Sequence, residues 1–226
     1  MPNLKSSLRD IILGGQDGLV NVLGVVLGVS AATSDLKIIM VSGLAATFAE
    51  SISMAAVAYT STEASMSKYL SDLKEEEKEV ETTPQEGLRD VEQVFRKWGF
   101  EGNLLREATY KITSNKDTWT KFMMTEERRE QKDGFEKPLA SAFIVGTSSL
   151  LGSIVPLLPY FILRTPQSSM VYSIIISALF LFILGFTKAK LTLGNPFSSG
   201  LKITAIGIAS AIVGFIIGKV LGESNI

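Results

Sequence analysis

Polar side chains interrupt an apolar stretch of the chain at residues 11–33. The stretch reads IILGGQDGLVNVLGVVLGVSAAT, long and apolar enough to cross a bilayer as one helix, yet it contains Gln16, Asp17 and Asn21. A carboxylate at membrane depth costs about 2.5–3.5 kcal/mol on insertion scales and is normally retained for a function. Asp17 and Asn21 are four residues apart and share one helix face. Asp17 is therefore a candidate ligand for an ion; the alternative is a structural polar contact to a neighbouring helix.

A second apolar stretch, residues 37–62, repeats this feature with Glu50 and Met54, again four residues apart. A thioether beside a carboxylate disfavours magnesium and calcium and favours softer first-row metal ions. A purely structural role stays open for both residues. Met54 would then pack against lipid or protein, and Glu50 would be hydrogen-bonded to Ser51, Ser53 or a neighbouring helix. Two spans that each carry a buried carboxylate indicate an ion path through the membrane.

Most of the charged side chains lie in one segment, residues 68–137. It contains 14 of the 22 Lys and Arg residues and 17 of the 23 Asp and Glu residues. Apolar positions at spacings of three and four predict amphipathic helices over residues 86–98, 104–113 and 118–131. So short a segment buries little core, and it would be marginally stable by itself.

Carboxylates and thioethers also occur together within this segment. Its acidic run comprises Glu75, Glu76, Glu77, Glu79, Glu81 and Glu86. On a later helix, Met123 and Glu127 are four residues apart and share a face, with Met124 next to them. This donor set would suit ferrous iron or manganese. The alternative is that the acidic run is simply a solvated helix face.

Composition restricts the chemistry further. The chain has no Cys and no His, so a metal site must use carboxylates, amide or backbone oxygens and Met thioethers. The formal net charge of −1 argues against nucleic acid as a partner. A di-metal oxidase is disfavoured because the Glu-x-x-His motif of such helical bundles is missing. The N-terminus shows no small-residue cleavage site of a signal peptide.

Three further apolar stretches, residues 139–163, 169–188 and 201–221, complete the pattern. Pro156 and Pro159 are expected to kink or end the first of them. The predicted fold is an all-α membrane protein with five transmembrane helices and a helical insertion between spans 2 and 3. The predicted organisation is residues 1–67 with spans 1 and 2, residues 68–137 as the insertion, and residues 138–226 with spans 3 to 5.

Basic residues outside the insertion predict the orientation of the chain. Five spans place the termini on opposite sides of the membrane. One side carries Lys5, Arg9, Lys188, Lys190 and Lys202, and the other carries Lys37, Arg164 and Lys219. The excess places the N-terminus and the insertion in the cytosol.

The first span resembles a known family. RDIILGGQDGLVNVLGVVLGV at residues 9–29 is similar to the first span of the vacuolar iron transporters, the CCC-type iron and manganese transporters. The SMA of AESISMAAVAY at residues 49–59 resembles their second span, and a charged insertion with a Met-Met-x-x-Glu element matches as well. The resemblance covers the whole chain, including the five spans.

This resemblance implies a homodimeric antiporter that exports cytosolic ferrous iron, often manganese too, in exchange for protons. It implies no enzymatic activity and no permanently bound cofactor, the metal being the transported substrate. The host would be a vacuolar membrane or a prokaryotic cell membrane. By the same resemblance, Asp17 and Met54 line the translocation path, while metal is collected in the insertion by Glu76, Glu79, Met123, Met124 and Glu127.

Two departures from the family pattern concern carboxylates. Many members have Gly-Glu-Tyr where this chain has Val57-Ala58-Tyr59, so the carboxylate after the Met is missing. Residues 50, 54 and 58 share one face, and Glu50 is expected to replace that carboxylate from one turn before Met54. In the insertion, the second pair of glutamates is reduced to Glu86 and Asp90.

A membrane-anchored protein that binds or senses iron without moving it is the alternative function. Carboxylates at membrane depth favour transport over sensing, because a sensor has no need for charges there.

Overall fold

All regular structure in the described residues is helical, as predicted. The computed structural model describes residues 4–126, 137–163, 165–192 and 194–223, so Glu127 lies outside the described residues. The α-helices are α1 (Leu4–Ala32), α2 (Leu36–Thr82), α3 (Pro84–Lys97), α4 (Gly102–Thr113), α5 (Lys116–Glu126), α6 (Pro138–Ile154), α7 (Leu158–Leu163), α8 (Pro166–Lys190) and α9 (Pro196–Glu223).

Within the described residues, five helical segments are long and apolar enough to cross a bilayer, which confirms the predicted number of spans. They are Ser7–Ala32, Leu36–Thr82, Pro138–Leu163, Pro166–Lys190 and Pro196–Gly222. Helix α2 has 47 residues, which corresponds to about 70 Å at 1.5 Å per residue. A hydrocarbon core is about 30 Å thick, so much of α2 must lie outside it. The polar second half of its sequence meets this requirement.

The chain forms two compact units, one of Met1–Thr60 with Glu136–Ile226 and the other of Ser61–Phe135. The boundaries predicted from the sequence, after residue 67 and before residue 138, mark where the chain is expected to leave and to re-enter the membrane. They stay predictions. In the first unit α1 packs against α6, α8 and α9. A side chain at Gly152 of α6 would collide with the backbone of Gly15 in α1, and one at Gly218 of α9 with that of Gly28. The glycines therefore allow close helix packing.

The third span is kinked at its prolines, as the sequence predicts. A 3-10 turn, Val155–Leu157, separates α6 from α7 and contains Pro156. Two serines of α8 donate to carbonyl groups in this region: Ser173 Oγ lies 2.7 Å from the carbonyl oxygen of Pro156, and Ser169 Oγ lies 3.2 Å from that of Pro159. These bonds satisfy backbone groups that lipid could not.

The second unit is a small helical domain formed by the end of α2 with α3, α4 and α5. Its core consists of Val80, Val91, Phe95, Leu105, Trp119 and Met123. Lys116 at the start of α5 forms an ion pair with Glu81 near the end of α2. The hydrogen bond from this ion pair raises the pKa of Lys116. The pair, with the core, holds the methionine-bearing helix beside the acidic run.

Candidate metal sites

The carboxyl groups of Asp17 in α1 and Glu50 in α2 lie close together, within hydrogen-bonding reach of each other. Both side chains are half-buried. Two carboxylates in direct contact cannot both remain charged unless a proton or a cation lies between them. The pair is therefore a candidate site for a proton or a metal ion.

Asn21 belongs to the same cluster. Its Nδ2 donates a hydrogen bond of 3.4 Å to Oδ2 of Asp17, and its side chain lies close to the carboxyl group of Glu50. Ser51, an alternative partner for Glu50, donates instead to the carbonyl oxygen of Thr47 at 2.7 Å. The contacts of Glu50 are thus with the polar side chains of α1.

Met54 lies one turn beyond Glu50 on the same face of α2, about 6 Å further along the helix axis. Its side chain is half-buried. Ala58, one turn further again, is only 7% exposed. Along this face of α2, the carboxyl group of Glu50 is therefore followed by the thioether of Met54 and then by the buried Ala58.

In the second unit, carboxylates line a cavity of about 410 Å³. Glu76, Glu79 and Glu86 contribute to its wall, together with Asp90 and Met123. Glu76 is 2% exposed, whereas Glu79 and Glu86 are exposed. Part of the acidic run thus lines a cavity, and its role in binding metal stays a prediction.

The other predicted ligands of the insertion do not all join this cavity. Met124 is buried in α5 but does not contribute to the lining, and Glu127 lies outside the described residues. Met123 also packs in the domain core. Over the described ranges, no three Asp or Glu side chains come close enough together to form a metal-binding group. The single chain therefore offers an acidic cavity with one thioether rather than a closed coordination shell.

Comparison with known proteins identifies the family. The model of the VIT family matches residues 8–219 of the chain. The chain belongs to the VIT family. Among VIT relatives, the chain is 32% identical over 206 residues to a protein of Centaurea cyanus named Vacuolar iron transporter, covering 91% of the chain and 84% of the relative.

Two further VIT relatives show how widely the similarity extends. Vacuolar iron transporter 1 of Arabidopsis thaliana is 28% identical over 214 residues, covering 95% of the chain and 86% of the relative. Protein CCC1 of Saccharomyces cerevisiae is 26% identical over 209 residues, covering 92% of the chain and 64% of the relative. The resemblance seen in the sequence is confirmed, and this VIT chain is an integral membrane protein of all-α fold.

One buried carboxylate of this VIT chain escaped the sequence reasoning. Asp10 of α1 is 7% exposed and accepts a hydrogen bond of 2.6 Å from Ser141 Oγ of α6. It is not among the candidate ligands predicted from the sequence, because it precedes the apolar stretch at residues 11–33. Its position seven residues before Asp17, two helix turns along the same side of α1, is the signal that could have drawn attention to it.

Proposed function

We propose that this chain exports ferrous iron, with manganese as a second substrate, from the cytosol in exchange for protons. The observation that carries the proposal is the close approach of the Asp17 and Glu50 carboxyl groups in the apolar part of the chain. Placing two carboxyl groups at membrane depth is costly, and a functional role explains why the cost is tolerated. The similarity to proteins named vacuolar iron transporters supports iron as the substrate.

The exchange follows from charge balance at this pair. Two carboxyl groups that share one proton carry a single negative charge. A divalent cation that binds both carboxylates displaces the proton and leaves the pair and the ion neutral together. Release of the metal on the other side allows a proton to return. Met54, one turn away on α2, supplies a thioether that favours iron and manganese over magnesium.

The insertion is proposed to collect metal on the cytosolic side. The excess of basic residues beside the N-terminus supports a cytosolic location for both the N-terminus and the insertion. The acidic cavity with Glu76 and Met123 supports metal collection, because carboxylates concentrate divalent cations and a thioether selects among them.

A homodimer is supported by the exposure of Asn21. In the single chain this amide is exposed although it lies midway along an apolar helix. An amide facing lipid would be unfavourable, whereas a second copy of the chain, or a water-filled path beside it, would solvate it.

Flux measurements in proteoliposomes test the proposal. With purified protein in vesicles, we expect ferrous iron to enter the lumen at a rate that rises when the lumen is acidic, accompanied by alkalinisation of the lumen. A fluorescent metal indicator and a pH indicator report the two movements. Iron flux without any pH response would overturn the exchange but not the transport. Iron binding without flux would favour the sensing alternative.

The collecting role predicts that two neighbouring glutamates behave differently. Glu76 is buried in the cavity wall, whereas Glu77 is exposed and outside it. We expect Glu76→Gln to weaken binding of Mn²⁺ to the insertion about tenfold, because affinity follows the number of ligand charges. Glu77→Gln removes the same charge and should leave the affinity within about twofold. Titrations of the full chain, followed by the electron paramagnetic resonance of free Mn²⁺, measure both. Equal losses of Mn²⁺ affinity in the two variants would indicate that the acidic run is only a solvated helix face.

A further inference from the structure

Asn21 contacts both carboxyl groups of the membrane site. Its amide nitrogen donates to Oδ2 of Asp17 within the same helix at 3.4 Å, and its side chain lies within reach of the Glu50 carboxyl group of the neighbouring helix. One neutral side chain therefore bridges α1 and α2 at the point where the ion is proposed to bind.

The chemistry of an amide suits both the empty and the loaded state. An asparagine side chain has two N–H donors and one carbonyl oxygen, and the torsion that exchanges them is broad and roughly twofold. In the absence of a cation, the amide N–H groups donate hydrogen bonds to the carboxyl oxygens. Once a cation lies between the carboxylates, those oxygens face the cation, and rotation of the amide turns its carbonyl oxygen toward the ion.

We propose that Asn21 is the third oxygen ligand of the transported divalent cation and that its neutrality sets the charge of the site. The inference rests on the proposed function and adds a residue to its membrane site. Asp17 and Glu50 supply two negative charges, which balance a divalent ion. A third carboxylate would leave excess negative charge and retain the ion, whereas an apolar residue would leave the ion one ligand short. An amide oxygen is also a hard donor that suits manganese.

A spectroscopic experiment on the full chain in detergent tests the ligand role with Mn²⁺ as the probe. Protein labelled with ¹³C at the side-chain carbonyl of asparagine is loaded with Mn²⁺ and studied by electron–nuclear double resonance. An amide oxygen in the inner coordination sphere places the labelled carbon two bonds from the ion, which gives a resolved coupling. We expect this coupling in the parent chain and its loss in Asn21→Leu.

Val25→Leu is the matched control, because Val25 is exposed on α1 one turn beyond Asn21. It should keep the coupling. A parent chain without any asparagine coupling, or a coupling that persists in Asn21→Leu, would overturn the inference. Assigning the signal by substitution separates it from Mn²⁺ bound near Asn103 or Asn115 of the insertion.

Transport by Asn21→Asp tests the role of charge. This variant keeps an oxygen ligand but adds a negative charge, so we expect Mn²⁺ to bind at least as tightly and to cross proteoliposome membranes about tenfold more slowly. Transport at the parent rate would overturn the charge argument. If the parent chain shows the asparagine coupling but no flux, the proposed transport fails while the ligand role of Asn21 stands.

Discussion

Asp17→Asn is expected to abolish iron transport while leaving the fold intact. Asparagine keeps the size of the side chain and its capacity to form hydrogen bonds but removes one of the two charges that attract the ion. A unit charge about 4 Å away at an effective dielectric of 20 contributes about 4 kcal/mol, so we expect a fall in rate on the order of 100-fold or more. Initial rates of ferrous iron uptake into proteoliposomes measure the effect.

Asp35→Asn is the matched control for this prediction. Asp35 is exposed before α2, where its Oδ1 accepts a hydrogen bond of 2.8 Å from the backbone N–H of Lys37. Asparagine caps a helix about as well as aspartate, so the same chemical change at this position should preserve both folding and transport. Thermal unfolding in detergent checks that the Asp17 variant is folded. Iron uptake at the parent rate in Asp17→Asn would show that the ion path does not use this residue.

Glu50→Ala is expected to have a comparably large effect. It removes the carboxyl group that contacts Asp17 and Asn21, and with it the ability of the pair to hold a proton or a divalent ion. We expect uptake of iron to fall to the level of empty vesicles. Glu63→Ala, which removes an exposed carboxylate of the same helix, should keep the parent rate. Parent-rate uptake in Glu50→Ala would contradict a role for this carboxylate.

A double substitution separates two explanations for Glu50. If a carboxylate anywhere near Met54 suffices, Glu50→Ala combined with Ala58→Glu should recover part of the transport. If direct contact with Asp17 is required, it should recover none, because position 58 lies about 12 Å further along the helix axis than position 50. The contact between Asp17 and Glu50, together with the burial of Ala58, favours the second outcome. Partial recovery would instead support a site centred on Met54.

The exchange proposed for the membrane site explains why its ligands are carboxylates. A metal-binding site made only of amides and thioethers would bind ions without taking up protons. Carboxylates have two states that differ by one proton, and a contacting pair makes metal binding and protonation mutually exclusive. The absence of His and Cys from the sequence leaves Asp and Glu as the groups that can do this near neutral pH.

The sequence by itself determined the five spans, the helical insertion and the candidate carboxylates. These features are local: a bilayer requires about 20 consecutive apolar residues per helix, and a charge inside such a run is conspicuous whatever surrounds it. The family resemblance likewise rests on contiguous motifs. The small-xxx-small spacing of glycines in α1 and α9 is local as well, because residues four apart lie on one face of a helix.

The tertiary structure decided which of these side chains meet. Sequence reasoning left Glu50 with Ser51, Ser53 or another helix as partners, and the rotation of α2 against α1 brings it to Asp17 and Asn21. In the insertion, helix rotation buries Glu76 beside Met123 and leaves Glu77 exposed. Spacing along one helix fixes which residues share a face. The orientation of that face depends on packing between helices far apart in sequence, such as the contact of Gly15 with Gly152 that brings α6 close to α1.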